Sequence, residues 1–184
     1  MMSEEVFMNF GDGRKIKLNP ISEDHVHVLG KIKPDLAIVC SGSRDWSDKK
    51  FVESVLKAYT EKYNVTVIQG TSRGLDTIAG EVADELGAVN IGISAVQKTD
   101  IKRDLLLRNS VMLSQLEKYD RKLVLAFRNK LDSKGTNDTV YKAVSRRIPV
   151  IMYTLLRSTE LSIFTQGIEG TDLPFVDNPV ISGV

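Results

Sequence analysis

Short stretches rich in glycine, hydroxyl side chains and arginine recur along the sequence, and each has the composition of an anion-binding turn. Glycine lets a backbone approach a ligand closely, hydroxyls donate hydrogen bonds, and a guanidinium group binds phosphate or carboxylate with two parallel bonds. The candidate ligand-binding residues fall in four segments: Gly42, Ser43, Arg44, Asp45 and Trp46; Gly70, Thr71, Ser72, Arg73 and Asp76; Arg108 and Asn109; and Gly135, Thr136 and Asn137.

Each of these segments also has a purely structural interpretation. Glycine, serine and threonine are common turn formers and helix caps. Asp76, in the first turn of a predicted helix, would complement the helix dipole or pair with a neighbouring arginine. Trp46 would either stack on a base or anchor the first helix. The convergence of several such segments favours ligand binding.

The elements that would position these residues alternate between short apolar runs and longer amphipathic runs. The sequence predicts strands at 36–40, 64–69, 88–94, 122–127 and 148–153, and helices at 48–63, 75–87, 102–119 and 136–147. This alternation is typical of a doubly wound, mainly parallel, Rossmann-like α/β sheet. Ligands bind such a sheet beyond the carboxyl ends of its strands, where the strand order reverses. The glycine-rich segments follow predicted strands and should meet there.

Two segments lie outside the predicted Rossmann-like domain of residues 34–153. Residues 1–33 contain Asp12-Gly13 between apolar runs, which predicts an N-terminal β-hairpin extension. Residues 154–184 form an acidic tail that is too apolar for a typical disordered segment. We expect this tail to pack on the core or on a second subunit, so the sequence leaves a homo-oligomer open.

Composition and charge narrow the class of partner. The 184 residues include 25 basic and 24 acidic side chains, a balance that argues against duplex nucleic acid and anionic membranes as partners. One cysteine and no membrane-length apolar run are consistent with a cytoplasmic protein. His25 and His27 have no further ligand at a recognisable spacing, so no metal site is predicted.

Four ordered motifs carry a resemblance to a known family. The stretches GSRDW, QGTSRGLDTIAGEVADELG, RNSVML and KGTNDTVYKAV, within residues 35–153, resemble the SLOG superfamily and most closely its YspA/YpsA-like branch. The Gly-x-x-Arg-Gly-x-Asp-x-x-Ala pattern also resembles DNA-processing protein A. The resemblance implies a Rossmann-like fold that binds a nucleotide or a nucleotide-derived ligand, such as an ADP-ribose-type molecule. We expect the protein to act as a sensor or sequestering protein and to require no cofactor. The resemblance implies that the four segments named above form the pocket.

A related class, the Lonely Guy phosphoribohydrolases, raises an enzyme alternative. Their motif Pro-Gly-Gly-x-Gly-Thr-x-x-Glu corresponds here to LDSKGTNDT, in which Thr139 replaces the glutamate. Asp138 comes one residue early, which turns it about 100° away on a helix. We therefore expect binding without N-glycosidase chemistry. A third alternative, a single-stranded nucleic-acid binding module, would need a continuous basic groove with aromatic side chains, which the sequence lacks.

Overall fold

A computed structural model of the chain describes residues 6–9, 11, 13–18, 32–95 and 101–182. The chain divides into two compact units, residues 1–33 and 34–184. Within the described ranges, no helix is both long and apolar enough to cross a lipid bilayer.

The first unit contains a two-stranded antiparallel sheet. Strand β1 (Val6–Asn9) pairs with β2 (Lys15–Leu18). The hairpin expected in this segment is present, and Gly13 has a left-handed φ of +89°, a conformation that glycine adopts without steric cost. Three residues named in the sequence analysis lie outside the described ranges: Asp12, His25 and His27.

The second unit is built around a six-stranded sheet with the order β5-β4-β3-β6-β7-β8. Its strands are β3 (Asp35–Gly42), β4 (Asn64–Gln69), β5 (Val89–Gly92), β6 (Lys122–Arg128), β7 (Val150–Leu156) and β8 (Glu160–Gln166). Its helices are α1 (Lys49–Thr60), α2 (Leu75–Glu85), α3 (Ile101–Leu116) and α4 (Lys134–Ser145). All strand pairs are parallel except β7 with β8. The predicted doubly wound, mainly parallel α/β fold is confirmed.

Helices cover both faces of this sheet. Along β3, Leu36, Ile38 and Cys40 pack in one buried cluster with α1 and α2, whereas Ala37 and Val39 pack in a second cluster with α3 and α4. This alternation follows from the two-residue period of a strand. Because both faces are buried, the strand is a continuous apolar run rather than an alternating one.

The sequence analysis missed the last strand, β8. Its residues alternate between exposed and half-buried, with Leu161 and Ile163 packed against the core cluster. An edge strand of this kind buries only one face, so its hydrophobic signal is weaker than that of the central strands. The strand therefore looked like part of an irregular tail.

The segment after β8 packs on the core of its own unit. The hydroxyl of Tyr59 donates to the carbonyl of Pro174 at 2.7 Å, and that of Tyr153 donates to the carbonyl of Val176 at 2.7 Å. Buried tyrosine rings in the core thus hold the backbone of the C-terminal segment through their polar tips.

The strand order reverses between β3 and β6. The chain continues from β3 to β4 and β5 on one side, and from β6 to β7 on the other. The carboxyl ends of β3 and β6, at Gly42 and Arg128, flank the crevice that this reversal creates. In folds of this kind the crevice is the usual ligand-binding position.

Candidate functional site

A cavity of about 340 Å³ lies in this crevice. Its wall combines the end of β3, the β4–α2 turn, α3, the β6–α4 loop and the first turn of α4. The structure therefore brings the four sequence segments together. The predicted residues that line this cavity, hereafter cavity A, are Gly42, Arg44, Ser72, Asp76, Arg108, Asn109, Gly135 and Thr136.

The remaining predicted residues divide into two groups. Gly70, Thr71 and Arg73 line a neighbouring cavity, hereafter cavity B, together with Arg44, Ser72 and Arg108. The residues that line neither cavity are Ser43, Asp45, Trp46 and Asn137.

The first turn of α4 forms one wall of cavity A. The first N–H groups of a helix have no intrahelical partner, and the N-cap residue Ser133 makes no side-chain capping bond to them. Gly135 leaves this wall open, since a Cβ placed there would meet no atom within 4 Å. The positive end of the α4 dipole and its free donors thus favour an anion in cavity A.

Cationic side chains outnumber carboxylates around cavity A. Lys130 lies 3.9 Å from the carboxylate of Asp45, which neutralises it only weakly. Within the described parts of the chain, Arg44 and Lys134 make no ion pair. Their charges are therefore available to a ligand.

Arg108 is fixed between the two cavities. Its Nη1 donates to the carbonyl of Gly70 at 2.7 Å and to the hydroxyl of Ser72 at 2.8 Å, and its Nη2 donates to Oδ1 of Asn109 at 3.3 Å. Burial lowers the pKa of this guanidinium, although the carboxylate of Asp76, 3.9 Å from Nη1, opposes the shift. Gly70 makes room for it, since a Cβ there would lie 2.5 Å from Cζ of Arg108.

The turn from Gly70 to Gly74 is closed by its own hydrogen bonds. The backbone N–H of Thr71 donates to the side chain of Gln69 at 2.6 Å, and that of Ser72 donates to Asp76 at 3.1 Å. The first N–H of α2, at Leu75, donates to the carbonyl of Ser43 at 3.1 Å. These three backbone donors therefore already have partners within the protein.

Asp76 is a buried carboxyl at the edge of cavity A. Burial raises its pKa, while the nearby Arg108 and the N–H of Ser72 oppose that shift. Only 6% of its side chain is exposed, so its main role in this structure is to balance Arg108 and to hold the turn. The arginine that pairs with Asp76 is thus Arg108, on α3.

Trp46 and Asn137 have structural contacts instead of facing either cavity. The Trp46 ring packs edge-on against Phe51 and Phe127, with centroid distances of 5.2 and 5.7 Å. The side chain of Asn137 accepts from Arg128 at 2.8 Å and donates to the carbonyl of Leu131 at 2.9 Å. Trp46 thus anchors α1, and Asn137 orders the β6–α4 loop.

Sequence reasoning missed part of the cavity A lining. Lys130 and Asp132 come from the β6–α4 loop, Lys134 is the first residue of α4, and Leu105 and Leu106 come from α3. The charged residues immediately precede Gly135, so their position in a strand–helix loop was the available signal. The leucines resemble core residues in the sequence, yet Leu106 is 42% exposed.

The residues compared with the Lonely Guy motif do not form a catalytic pair. Thr139 is fully buried, and its hydroxyl donates to the carbonyl of Gly135 at 3.1 Å and accepts from Ser41 at 3.3 Å. Asp138 accepts from Asn109 at 3.0 Å and pairs with Lys142 at 2.9 Å. Asp138 therefore orients Asn109 and does not line cavity A. Among the described residues, no group of three His, Cys, Asp or Glu side chains is arranged to hold a metal ion.

Comparisons with known proteins agree with this fold. Residues 36–98 match the YAcAr family model, described as the YspA, cpYpsA-related SLOG family. The chain is also similar in structure to DNA processing protein A from Streptococcus pneumoniae, with a TM-score of 0.52 and 17% identity over 65% of this chain and 50% of that one. It thus spans half of that protein, and so distant a likeness shows the fold alone. No curated protein matches the sequence. Residues 36–98 are thus similar to the SLOG family that this model describes, and the structural likeness supports the fold of the second unit.

Proposed function

We propose that the protein binds a nucleotide or a nucleotide-derived ligand in cavity A, as a sensor or sequestering protein. The observation that carries this proposal is the meeting of the open α4 N-terminus with Arg44 and Lys134, which make no ion pair within the described residues, in a crevice at the strand switch point. A phosphate group there would accept bonds from backbone N–H groups and cationic side chains together.

The lining also has an apolar part suited to the uncharged portion of such a ligand. Leu105 and Leu106 face cavity A, and its described lining contains no aromatic side chain. A sugar or base would therefore pack on aliphatic surface instead of stacking on a ring. The larger share of the binding free energy would come from the anion, since each charge-assisted hydrogen bond contributes about 1.5–3 kcal/mol.

A thermal-shift screen tests the binding proposal. Nucleoside phosphates, NAD, ADP-ribose and cyclic dinucleotides are compared at millimolar concentration, and a ligand at about a hundredfold its dissociation constant should add about 2.7 kcal/mol of stability. Lys134→Ala should abolish most of the shift. The control Lys57→Ala changes an exposed lysine in the last turn of α1, outside both cavities, and should keep it. No shift with any compound would contradict the proposal.

A nucleotide-processing activity is the second candidate, because two carboxyl groups line cavity A. Asp132 is exposed there, and burial raises the pKa of Asp76. We nevertheless expect no release of free base from nucleoside monophosphates, since neither Thr139 nor Asp138 presents a carboxylate to the cavity. Chromatographic detection of steady base release, abolished by Asp132→Asn, would establish the enzyme instead.

A further inference from the structure

Cavity B adjoins cavity A and has a volume of about 450 Å³. The two share Arg44, Ser72, Leu105 and Arg108 as a common wall. Ligand sites for small molecules have volumes of about 300–1,000 Å³, so each cavity has room for one part of a ligand.

The shared wall is rigid at Arg108. Its side chain is only 11% exposed and is held by the bonds to Gly70, Ser72 and Asn109 described above. A ligand occupying both cavities would therefore contact this wall, because Arg108 lines both spaces.

Each cavity has its own cations. Lys130 and Lys134 belong to cavity A alone, Arg73 belongs to cavity B alone, and Arg44 faces both. The described lining of cavity B contains no carboxylate, and Arg73 makes no ion pair within the described residues. Cations that make no ion pair within the described residues, Lys134 in cavity A and Arg73 in cavity B, thus lie on both sides of Arg108.

We propose that the ligand carries two separate anionic groups, one bound in each cavity, with the intervening nucleoside along the Arg108 wall. This inference rests on the proposed function, since it assumes that a nucleotide-type ligand occupies cavity A. It assigns the ligand to the class of nucleoside bisphosphates and phosphorylated dinucleotides. A ligand with a single phosphate would use only one of the two cation groups.

Affinity measurements by isothermal titration calorimetry distinguish a ligand with two separate phosphates from a ligand with a single phosphate. The probes are AMP, adenosine 3′,5′-bisphosphate and the 5′-phosphorylated dinucleotide pApA. At least one probe with two phosphates should bind about tenfold or more tightly than AMP, because a second charge-assisted contact is worth at least that factor. Arg73→Ala should remove most of this preference.

A matched control is Arg147→Ala, since Arg147 is exposed, follows the C-terminal end of α4 and lines neither cavity. That variant should keep the tenfold preference. Equal affinities for AMP and both probes with two phosphates, or a preference that survives Arg73→Ala, would overturn the two-anion inference while leaving the proposed function intact. No binding of any probe would overturn both.

Discussion

The arginines around the crevice differ in what they contact, and the difference assigns them different roles. Arg108 has several protein partners, whereas Arg44 and Arg73 are exposed and make no ion pair within the described residues. The carboxylates that follow Arg44 in the sequence have other partners. Asp45 lies near Lys130, and Asp48 caps α1 and accepts from Ser182.

Replacing the exposed arginines should affect binding and leave folding nearly unchanged. Arg44→Ala and Arg73→Ala should each change the free energy of unfolding by less than about 0.5 kcal/mol, because neither exposed side chain makes an ion pair within the described residues. Ligand affinity should fall about tenfold, equivalent to about 1.4 kcal/mol. Thermal denaturation and titration calorimetry measure the two quantities. A destabilised protein with unchanged affinity would show that these arginines are structural.

Replacing Arg108 should destabilise the fold in a pH-dependent way. Arg108→Ala removes the cation that opposes the raised pKa of Asp76, so this pKa should rise further in the folded state. A carboxyl whose folded pKa exceeds its unfolded pKa costs stability above the folded pKa and nothing below the unfolded pKa. The loss of stability should therefore be larger at pH 8 than near pH 4. Urea denaturation at the two pH values checks this, and an equal loss at both would contradict the coupling.

At the scale of elements, the packing of strand ends against helices determines which glycines around the crevice tolerate a side chain. A Cβ at Gly42 would lie 2.6 Å from Cβ of Leu75, whereas a Cβ at Gly135 meets nothing within 4 Å. Gly42→Ala should lower the free energy of unfolding by about 1–3 kcal/mol through overpacking. Gly135→Ala, the control, should be close to neutral for stability. Similar effects at both positions would contradict the packing described for β3 and α2.

The C-terminal segment should depend on the tyrosine hydroxyls that hold it. Tyr153→Phe removes the bond to Val176 and should cost about 1 kcal/mol, because a typical hydrogen bond contributes that amount. Limited proteolysis should then cut the segment after β8 faster. Tyr141→Phe changes a 74% exposed ring and should alter neither stability nor cleavage. Unchanged cleavage of the Tyr153 variant would show that other contacts hold the segment.

The sequence predicted the central elements better than the periphery. Strand β4 was predicted at its observed bounds, because its four central residues, 65–68, are all β-branched and such residues favour strands. Helix α4 begins two residues earlier than predicted, at Lys134, since neither Lys134 nor Gly135 carries an apolar helical signal. The edge strand β8 was missed for the reason given above.

The sequence predicted where the candidate site lies in the fold, but it predicted fewer of the contacts that its side chains make. The topology brings the strand ends together, so the crevice follows from the alternation of elements. Trp46 packs on Phe127, a long-range contact that no local pattern specifies. The closed turn before α2 likewise required the structure, because its N–H groups find partners in Gln69 and Ser43.

At the scale of the whole molecule, the single cysteine is a reporter of folding. Cys40 lies in β3 and is fully buried in the core cluster that β3 forms with α1 and α2. Burial raises the pKa of its thiol far above the ordinary value. The native protein should therefore react with a thiol reagent only through unfolding, since the thiolate is the reactive form. Labelling rates in buffer and in urea check this. Rapid labelling of the native protein would contradict the packing of the central strand.

The central claim is that an anionic nucleotide-type ligand binds at the α4 N-terminus within the crevice. Two-dimensional amide NMR of the labelled protein, titrated separately with AMP and ADP-ribose, tests it most directly. We predict that the largest shift changes fall on the backbone N–H groups of Lys134, Gly135 and Thr136, with smaller changes at Ser72. No change at millimolar ligand, or changes confined to other surfaces such as the cavity beside Ser158 and Ser182, would contradict the claim.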